Sequence, residues 1–410
     1  MKILFLTQLF PYPPVCGGTI RSWNVLKRLA ERHEVTLAAL VRGELGSYDC
    51  VNDICRAVHG VNVHRSGLLN LCYAASGLIR RKPFIVIRDH VQEMQDLVNR
   101  LTSGIGFDLI YVDHLQMAQY VRREHAHGLI LDEHNVEWRI LKRIAATARR
   151  GRRIFAELES RKLRDYELRA CERFDKVITV TEEDRKALCA DNPRLNNLCT
   201  VPIGVDLQEF SPVRLSANAR AIVSIGTMSW PPNIDAVMYF ARDIYPLVKQ
   251  EEPKTRLVVA GSKPPKSVLN LCVDDSSIVV TGYVPDISAL AEQAAVFVVP
   301  LRSGSGMRVK ILNALAMGLP VVTTSLGCEG IDAMDGRDIL IADDPSAFAS
   351  AVVRLLRDPD ERFRLGTNGR RLIEEKYSWE SIYPILDAAV ETIAESQQTE
   401  RAARRVVSET

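Results

Sequence analysis

In the stretch PLRSGSGMRVKILNALAMGLPVV, residues 300–322, a glycine-rich turn and two cations stand at the entrance to an apolar run with helical spacing. Gly304 and Gly306, with Ser305 between them, leave the backbone free to come close to a ligand. Arg308 is expected in the first helical turn, and Lys310 and Asn313, three residues apart, on one face. A cation at a helix start is electrostatically unfavourable unless an anion compensates it. Free helix-start amides with two permanent cations therefore describe a seat for a diphosphate, whereas a merely solvated basic face would leave that charge placement unexplained.

Two other stretches carry reactive groups. In PYPPVCGGTIRSWNVLKRLAERH, Gly17 and Gly18 again permit close approach, and Thr19 is placed to cap a helix whose Ile20, Trp23, Leu26, Leu29 and Ala30 repeat at helical spacing. Such a start attracts phosphate or carboxylate, although an ordinary loop and cap would read the same way. YVDHLQMAQYV and LDEHNVEWR each end a strand-like run with a carboxylate beside a histidine: Asp113 and His114, then Asp132, Glu133, His134, Asn135 and Glu137. These side chains bind substrates, carry protons and also ligate metals, but no H-x-x-x-H or similar spacing favours a metal.

The elements that must position these groups are short runs of Ile, Val and Leu. They fall at residues 3–6, 35–41, 109–112, 129–132 and 177–181, then at 221–226, 256–261, 278–282, 296–300, 320–325 and 339–343. Continuous apolar runs separated by helix-like segments are strands of parallel sheets covered on both faces, so the class is α/β, doubly wound. The connector VPIGVDLQEFSP, residues 201–212, divides the series, and 410 residues suffice for two domains. In open sheets of this kind ligands bind at the carboxyl ends of the strands.

Bulk composition narrows the function. With 53 Lys and Arg against 51 Asp and Glu the net charge is +2, which argues against a nucleic-acid binder. Charge is nevertheless uneven: RILKRIAATARRGRR, Arg139 to Arg153, holds seven basic residues and no acid, enough for peripheral contact with an anionic membrane. The nine cysteines are scattered and never spaced C-x-x-C, which suggests neither a zinc cage nor a disulfide framework and reads as a cytoplasmic protein. The opening MKILFLTQLF reads as a first strand, and no apolar run approaches the ~20 residues of a membrane span.

The CGGTIRS loop, the HNVE strand end, the VPIGVDLQEFSP connector, SIGTMSWPPNIDAVMYF, GSGMRVKILNALAMGLPVVTTSLGCEGI and EEKYSW together resemble glycosyltransferase family 4 over nearly the whole chain. The closest look is to its sugar transferases of bacterial exopolysaccharide systems. The resemblance implies a GT-B fold, two Rossmann-like doubly wound domains facing across a cleft: residues 1–208 on the acceptor side and 209–377 binding a nucleotide sugar. A last helix at 378–395 would pack back on the first domain, ahead of a frayed tail at 396–410. It also implies transfer with retention at the anomeric carbon, no metal and no cofactor, and a glycan or lipid-linked acceptor in cell-surface or exopolysaccharide synthesis.

Carried onto this sequence, Gly17 and Gly18 lie near the donor phosphates and His114 near the reacting sugar. Arg308 and Lys310 neutralise the diphosphate leaving group. Gly226, Gly304, Ser305, Gly306, Asn313 and Glu329 belong to the donor side, and Asp113, His134, Asn135 and Glu137 to the acceptor side. Two departures stand out. Ser305 and Asn313 occupy the positions of two glutamates that many members carry, with Glu329 as a substitute for the first. GTMSWPPN also lacks the Arg and Lys common after the first strand of the second domain. The missing glutamates motivate an alternative, a non-catalytic partner that binds nucleotide sugar. A nucleotide-sugar 2-epimerase of the same fold ranks lower because its motif blocks are absent, and a dehydrogenase would need an early G-x-G-x-x-G.

Overall fold

The structure, a computed structural model, describes residues 1–43, 49–63, 73, 76–77, 82–104, 106–147, 150–304 and 306–408. The chain divides into two compact units, Met1–Pro202 with Tyr383–Thr410, and Ile203–Ile382. Expected position Ser305 and residues 148–149 of the basic stretch lie outside the described residues.

The first unit is built on a seven-stranded parallel sheet. Its strands are β1 (Lys2–Thr7), β2 (Glu34–Val41), β3 (Ala57–Asn62), β4 (Phe107–Asp113), β5 (Ala126–Glu133), β6 (Lys176–Thr179) and β7 (Leu198–Thr200), in the order β3-β2-β1-β4-β5-β6-β7. The central strands β1, β4 and β5 are buried nearly throughout, as continuous Ile, Leu and Val runs require, and Phe5 stacks on Tyr111 at 5.2 Å. The edge strands β3 and β7 have no apolar run to announce them. Ala-Val-His-Gly-Val-Asn buries only Val61 fully, and Leu-Cys-Thr is half-buried.

Three helices of this unit matter for function. Helix α1 (Gly17–Arg32) begins three residues earlier than a Thr19 cap would place it. Cys16 is the N-cap, and Thr19 sits at the third helical position, where its hydroxyl accepts from the Cys16 amide at 3.1 Å. Helices α2 (Glu137–Thr147) and α3 (Arg150–Arg173) follow β5 as an antiparallel hairpin, with the Ser160 hydroxyl donating to the Trp138 carbonyl at 3.0 Å.

The second unit carries β8 (Ala221–Ile225), β9 (Arg256–Ala260), β10 (Ile278–Gly282), β11 (Ala294–Val299), β12 (Val321–Thr323) and β13 (Leu340–Ile341), again all parallel, in the order β10-β9-β8-β11-β12-β13. Helix α4 (Pro231–Tyr239) follows β8, with prolines in its first turn, where their missing amides cost nothing. Helix α5 (Val309–Ala316) follows β11 and buries Ile311, Leu312, Ala314 and Leu315. Gly204 is held against Trp379: a Cβ there would lie 2.4 Å from the indole ring, so only glycine fits.

Helix α6 (Trp379–Ser408) leaves the second unit, and from Tyr383 onward it belongs to the first. Asp387 binds Arg28 at 2.5 Å and Arg32 at 2.6 Å, while Leu386 and Val390 are buried. The helix continues through the residues expected to fray and ends at Ser408. Among the described residues, no helix is long and apolar enough to cross a membrane.

Candidate functional site

In each sheet the strand order reverses once, between β1 and β4 and between β8 and β11. Crossovers leave such a point in opposite directions, which opens a crevice at the strands' carboxyl ends. The sequence-predicted groups gather at these two places.

In the first unit Asp113, at the end of β4, is the hub. Its Oδ2 accepts from the Thr7 hydroxyl at 2.6 Å and the Ser22 hydroxyl at 2.7 Å, and lies 3.0 Å from His114 Nδ1. Its Oδ1 lies 2.7 Å from His134 Nε2. The two imidazoles stack with centroids 3.7 Å apart, and a Cβ on Gly18 would lie 3.6 Å from His114 Nε2 and 3.9 Å from His134 Nδ1. The glycine loop after β1 thus comes directly against the nitrogens that Asp113 does not use. His114 has a φ of 81°, a left-handed conformation costing a non-glycine residue about 1–3 kcal/mol. Its amide donates to the Asp132 carbonyl at 3.0 Å, which helps hold it there.

Electrostatics separates the two histidines. Burial alone would raise Asp113, but the imidazoles of His114 and His134 and their hydrogen bonds hold it well below the usual carboxylate range. Burial lowers His114, yet the Asp113 charge outweighs it and the net shift is upward. Burial and the neighbouring His114 push His134 down. The Asp113 carboxylate can accept from both rings, from His114 through Nδ1–H and from His134 through Nε2–H.

One layer further in, Arg21 of α1 is 1% exposed and pairs with Asp132 through Nε at 3.0 and 3.1 Å and Nη2 at 2.9 Å. The Tyr111 hydroxyl donates to Asp132 at 2.7 Å, and Arg21 Nη1 donates to the carbonyls of Val201 and Pro202 at 2.8 and 3.0 Å. Arg21 therefore ties the helix carrying the glycine loop to the last residues of the unit. Nothing apolar marks Arg21 in the sequence, so hydrophobic spacing could not reveal it. Its signal is a cation one turn into a helix on the side that buries Ser22 and Val25.

The other acceptor-side positions are less central. Asn135 is half-buried in the turn after His134. Glu137 opens α2, and its amide donates to Glu167 at 3.0 Å. Burial raises the Glu137 carboxyl despite a hydrogen bond from Gln116 and the nearby His114.

In the second unit Gly226 directly follows β8, and Lys310 reaches it from the first turn of α5. Lys310 Nζ donates to Asn233 Oδ1 at 2.8 Å, and Asn233 Nδ2 donates to the Thr227 carbonyl at 3.0 Å. A Cβ on Gly226 would lie 2.9 Å from the Asn233 amide and 3.0 Å from the Lys310 amine, so glycine is what allows the lysine in. Arg308 is the N-cap of α5, with φ −89° and ψ 87°, and stands just outside the first turn in which it was expected. Two glycines fold the chain back ahead of it, Gly304 at φ 115° and Gly306 at φ 77°, and Arg308 Nη1 donates to the Gly306 carbonyl at 2.8 Å. Burial and the Arg308 charge push the Lys310 amine down to about 7. Asn313 is half-buried on α5, and Glu329 lies in the segment after β12. Asn233 is the contributor that sequence reasoning missed. It lies inside the quoted SWPPN segment, with a side chain of the kind that orients a lysine.

Two parallel, doubly wound sheets with these carboxyl-end sites define the GT-B class. The comparisons agree. Residues 219–358 match the family described as Glycosyl transferases group 1. An uncharacterised 44.6 kDa protein in the cps region of Klebsiella pneumoniae is 22% identical over 169 residues, 40% of this chain and 44% of that protein. A GDP-mannose-dependent α-(1-6)-phosphatidylinositol dimannoside mannosyltransferase of Mycobacterium tuberculosis is 30% identical over 226 residues, 52% of this chain and 56% of the relative. The chain thus spans about half the length of these curated relatives. Among solved structures, Anabaena HepE in complex with UDP and glucose superposes with a TM-score of 0.66 at 14% identity, covering 95% of this chain and 99% of that one. Residues 219–358 are thus similar to the group 1 glycosyltransferases, and the chain as a whole has the fold of the GT-B structures.

Proposed function

We propose that this chain is a retaining glycosyltransferase that moves a sugar from a nucleotide-diphosphate donor to a glycan or lipid-linked acceptor in cell-surface or exopolysaccharide synthesis, working at the cytoplasmic face of a membrane. The observation that carries the reading is the arrangement of Lys310, Arg308 and the glycine turn. A half-buried amine whose charged neighbour is a second cation is electrostatically costly until an anion arrives, and breaking a sugar–phosphate bond delivers negative charge to a diphosphate oxygen. Gly226, Gly304 and Gly306 give the phosphates room, and Arg308 and Lys310 take up the developing charge. His114 serves the reacting sugar, with Asp113 and His134 orienting it.

The names of similar proteins support the substrate class: one depends on GDP-mannose and acts on a phosphatidylinositol glycolipid, another was solved with UDP and glucose, and a third lies in a cps region. The chemistry is metal-independent in this reading. Asp113, His114 and His134 are ligand types whose atoms lie within 4.8 Å of one another, but hydrogen bonds to Thr7, Ser22 and both imidazoles already occupy the Asp113 oxygens.

The second reading, a partner that binds nucleotide sugar without turnover, rests on Ser305 and Asn313 standing where the family resemblance leads to an expectation of two glutamates. Incubation with UDP-, GDP-, ADP- and TDP-sugars separates the two. Transfer or slow hydrolysis with release of the diphosphate, abolished in His114→Ala, supports the enzyme, and an α-configured product from an α-linked donor supports retention. Tight donor binding with no diphosphate released, even with membrane lipid extract as acceptor, selects the binding partner.

A further inference from the structure

The glycine turn ahead of α5 is fastened from both ends. At the near end Leu301 is buried and its carbonyl accepts from the Thr324 hydroxyl at 2.6 Å, so the chain is fixed to the core up to the residue before Arg302. At the far end Lys310 donates to Asn233 of α4. Arg302 is tied to the same helix. Its Nε and Nη2 donate to the two carboxylate oxygens of Asp235 at 3.1 and 2.6 Å, and its guanidinium carbon stands 4.2 Å from the centre of the Tyr239 ring.

Asp235 and Tyr239 lie one turn apart on α4 and share a face, which offers a carboxylate and an aromatic ring to one side chain. Arginine fits both, with two parallel N–H bonds for the carboxylate and a flat face for the ring, whereas lysine has neither the fork nor the plane. The side chains of Arg302 and Asp235 are 49% and 41% exposed, so the pair adds little to the stability of the whole unit. Its effect is local: it joins the start of the turn to the helix that holds Lys310. The acid also needs a reason to be there. Asp235 stands two residues from Asn233, where an uncompensated carboxylate would repel a diphosphate, and Arg302 supplies the compensation.

We propose that Asp235, Arg302 and Tyr239 form a clasp that shapes the donor turn before the donor arrives, with Arg302 acting as a positioning residue and not as a ligand of the diphosphate. The inference rests on the reading of this turn as the diphosphate seat. With residues 302 and 310 both tied to α4, the segment between them has less freedom to lose when it closes on an anion, and less of the binding energy goes into ordering it. The segment GTMSWPPN that leads into α4 carries no cation of its own. On this account α4 serves the donor through the two cations it holds in place.

The test turns on a sign. Removing an acid near an anion site ordinarily strengthens anion binding, whereas losing a clasp weakens it. In calorimetric titration of the full chain with UDP, GDP, ADP and TDP, Asp235→Asn and Arg302→Gln are each expected to weaken the diphosphate that wild type binds by about tenfold. The double variant should be no weaker than either single one, because both break the same contact. A second arm needs no ligand: trypsin should cleave after Arg302 at least about fivefold faster in Asp235→Asn than in wild type, since the freed turn opens more often. The two arms separate the inferences. If wild type binds none of the four diphosphates the transferase reading falls, and the digestion alone decides the clasp. Diphosphate binding by Asp235→Asn as tight as wild type or tighter, additive losses in the double variant, or cleavage at the wild-type rate would each overturn the proposal.

Discussion

The two carboxyl-end sites solve the problem of buried charge in opposite ways. In the first unit the two charges at the heart of the site have their complements within reach: Asp113 between two imidazoles and two hydroxyls, and Arg21 against two carbonyls and Asp132, which also accepts from Tyr111. In the second, among the described residues Lys310 meets the neutral amide oxygen of Asn233 and a neighbouring cation, and its amine gives up much of its basicity. A satisfied network holds a shape, whereas an unsatisfied one holds an affinity. On the proposed function, positioning falls to the first unit and anion capture to the second, and the contrast can be broken at several points.

The largest expected effect is structural. Arg21→Ala leaves Asp132 buried without its partner and should cost about 3–5 kcal/mol, read as a drop in the urea midpoint of the first unit. Arg21→Met combined with Asp132→Leu should recover most of that loss, because both charges then leave together. If Arg21→Ala is as stable as wild type, the first site is not a self-satisfied network.

His114→Ala comes next. It should lower turnover by about a hundredfold with a modest change in stability, since Asp113 keeps its bonds to Thr7, Ser22 and His134. Diphosphate affinity should stay as it was, which separates the roles of the two sites.

A smaller effect lies in proton linkage. Lys310 titrates at about 7 in the free protein, and a bound diphosphate should restore it toward the ordinary lysine value of about 10.4. Between these limits binding takes up protons, and affinity should fall by up to about tenfold for each pH unit of increase. Calorimetry in buffers of different ionisation enthalpy at pH 8 measures the uptake, and Lys310→Gln should abolish it. Folding shows the reverse sign. The unfolded chain takes a proton that folded Lys310 refuses, so stability falls as pH drops from about 10.4 to 7 and levels off below.

The smallest expected effect is none. Dialysis against EDTA should leave transfer and stability unchanged, and a loss of activity restored by a divalent ion would reopen Asp113, His114 and His134 as ligands.

How much of this could be read beforehand depended on whether a residue's work shows as hydrophobicity or as contact. The buried strands around both switch points were legible as unbroken apolar runs, while β3 and β7 were hidden because edge strands need no such run. Gly304, Gly306, Arg308 and Lys310 were legible because glycine and charge at a helix start are locally unusual. Arg21 was not, because its partners lie 111 and 180 residues away along the chain, at Asp132 and Val201. The pairing of His114 with His134 through one carboxylate was half legible: the sequence put each beside a strand end, and only the adjacency of β4 and β5 brings them together. Helix starts fell one to three residues from their expected places, with Cys16 as the cap instead of Thr19 and Val309 as the first helical residue after Arg308, since caps are set by backbone geometry that side-chain type only suggests.

The central claim is that the turn ahead of α5 holds the diphosphate of a sugar nucleotide. Its most direct test is calorimetric titration of the purified protein with UDP, GDP, ADP and TDP, repeated on Arg308→Ala with Lys310→Ala. One diphosphate should bind, and the double variant should lose at least about a hundredfold in affinity, the sum of two charge-assisted contacts of about 1.5–3 kcal/mol each. Binding that survives the double variant, or no binding by any of the four, would contradict the claim.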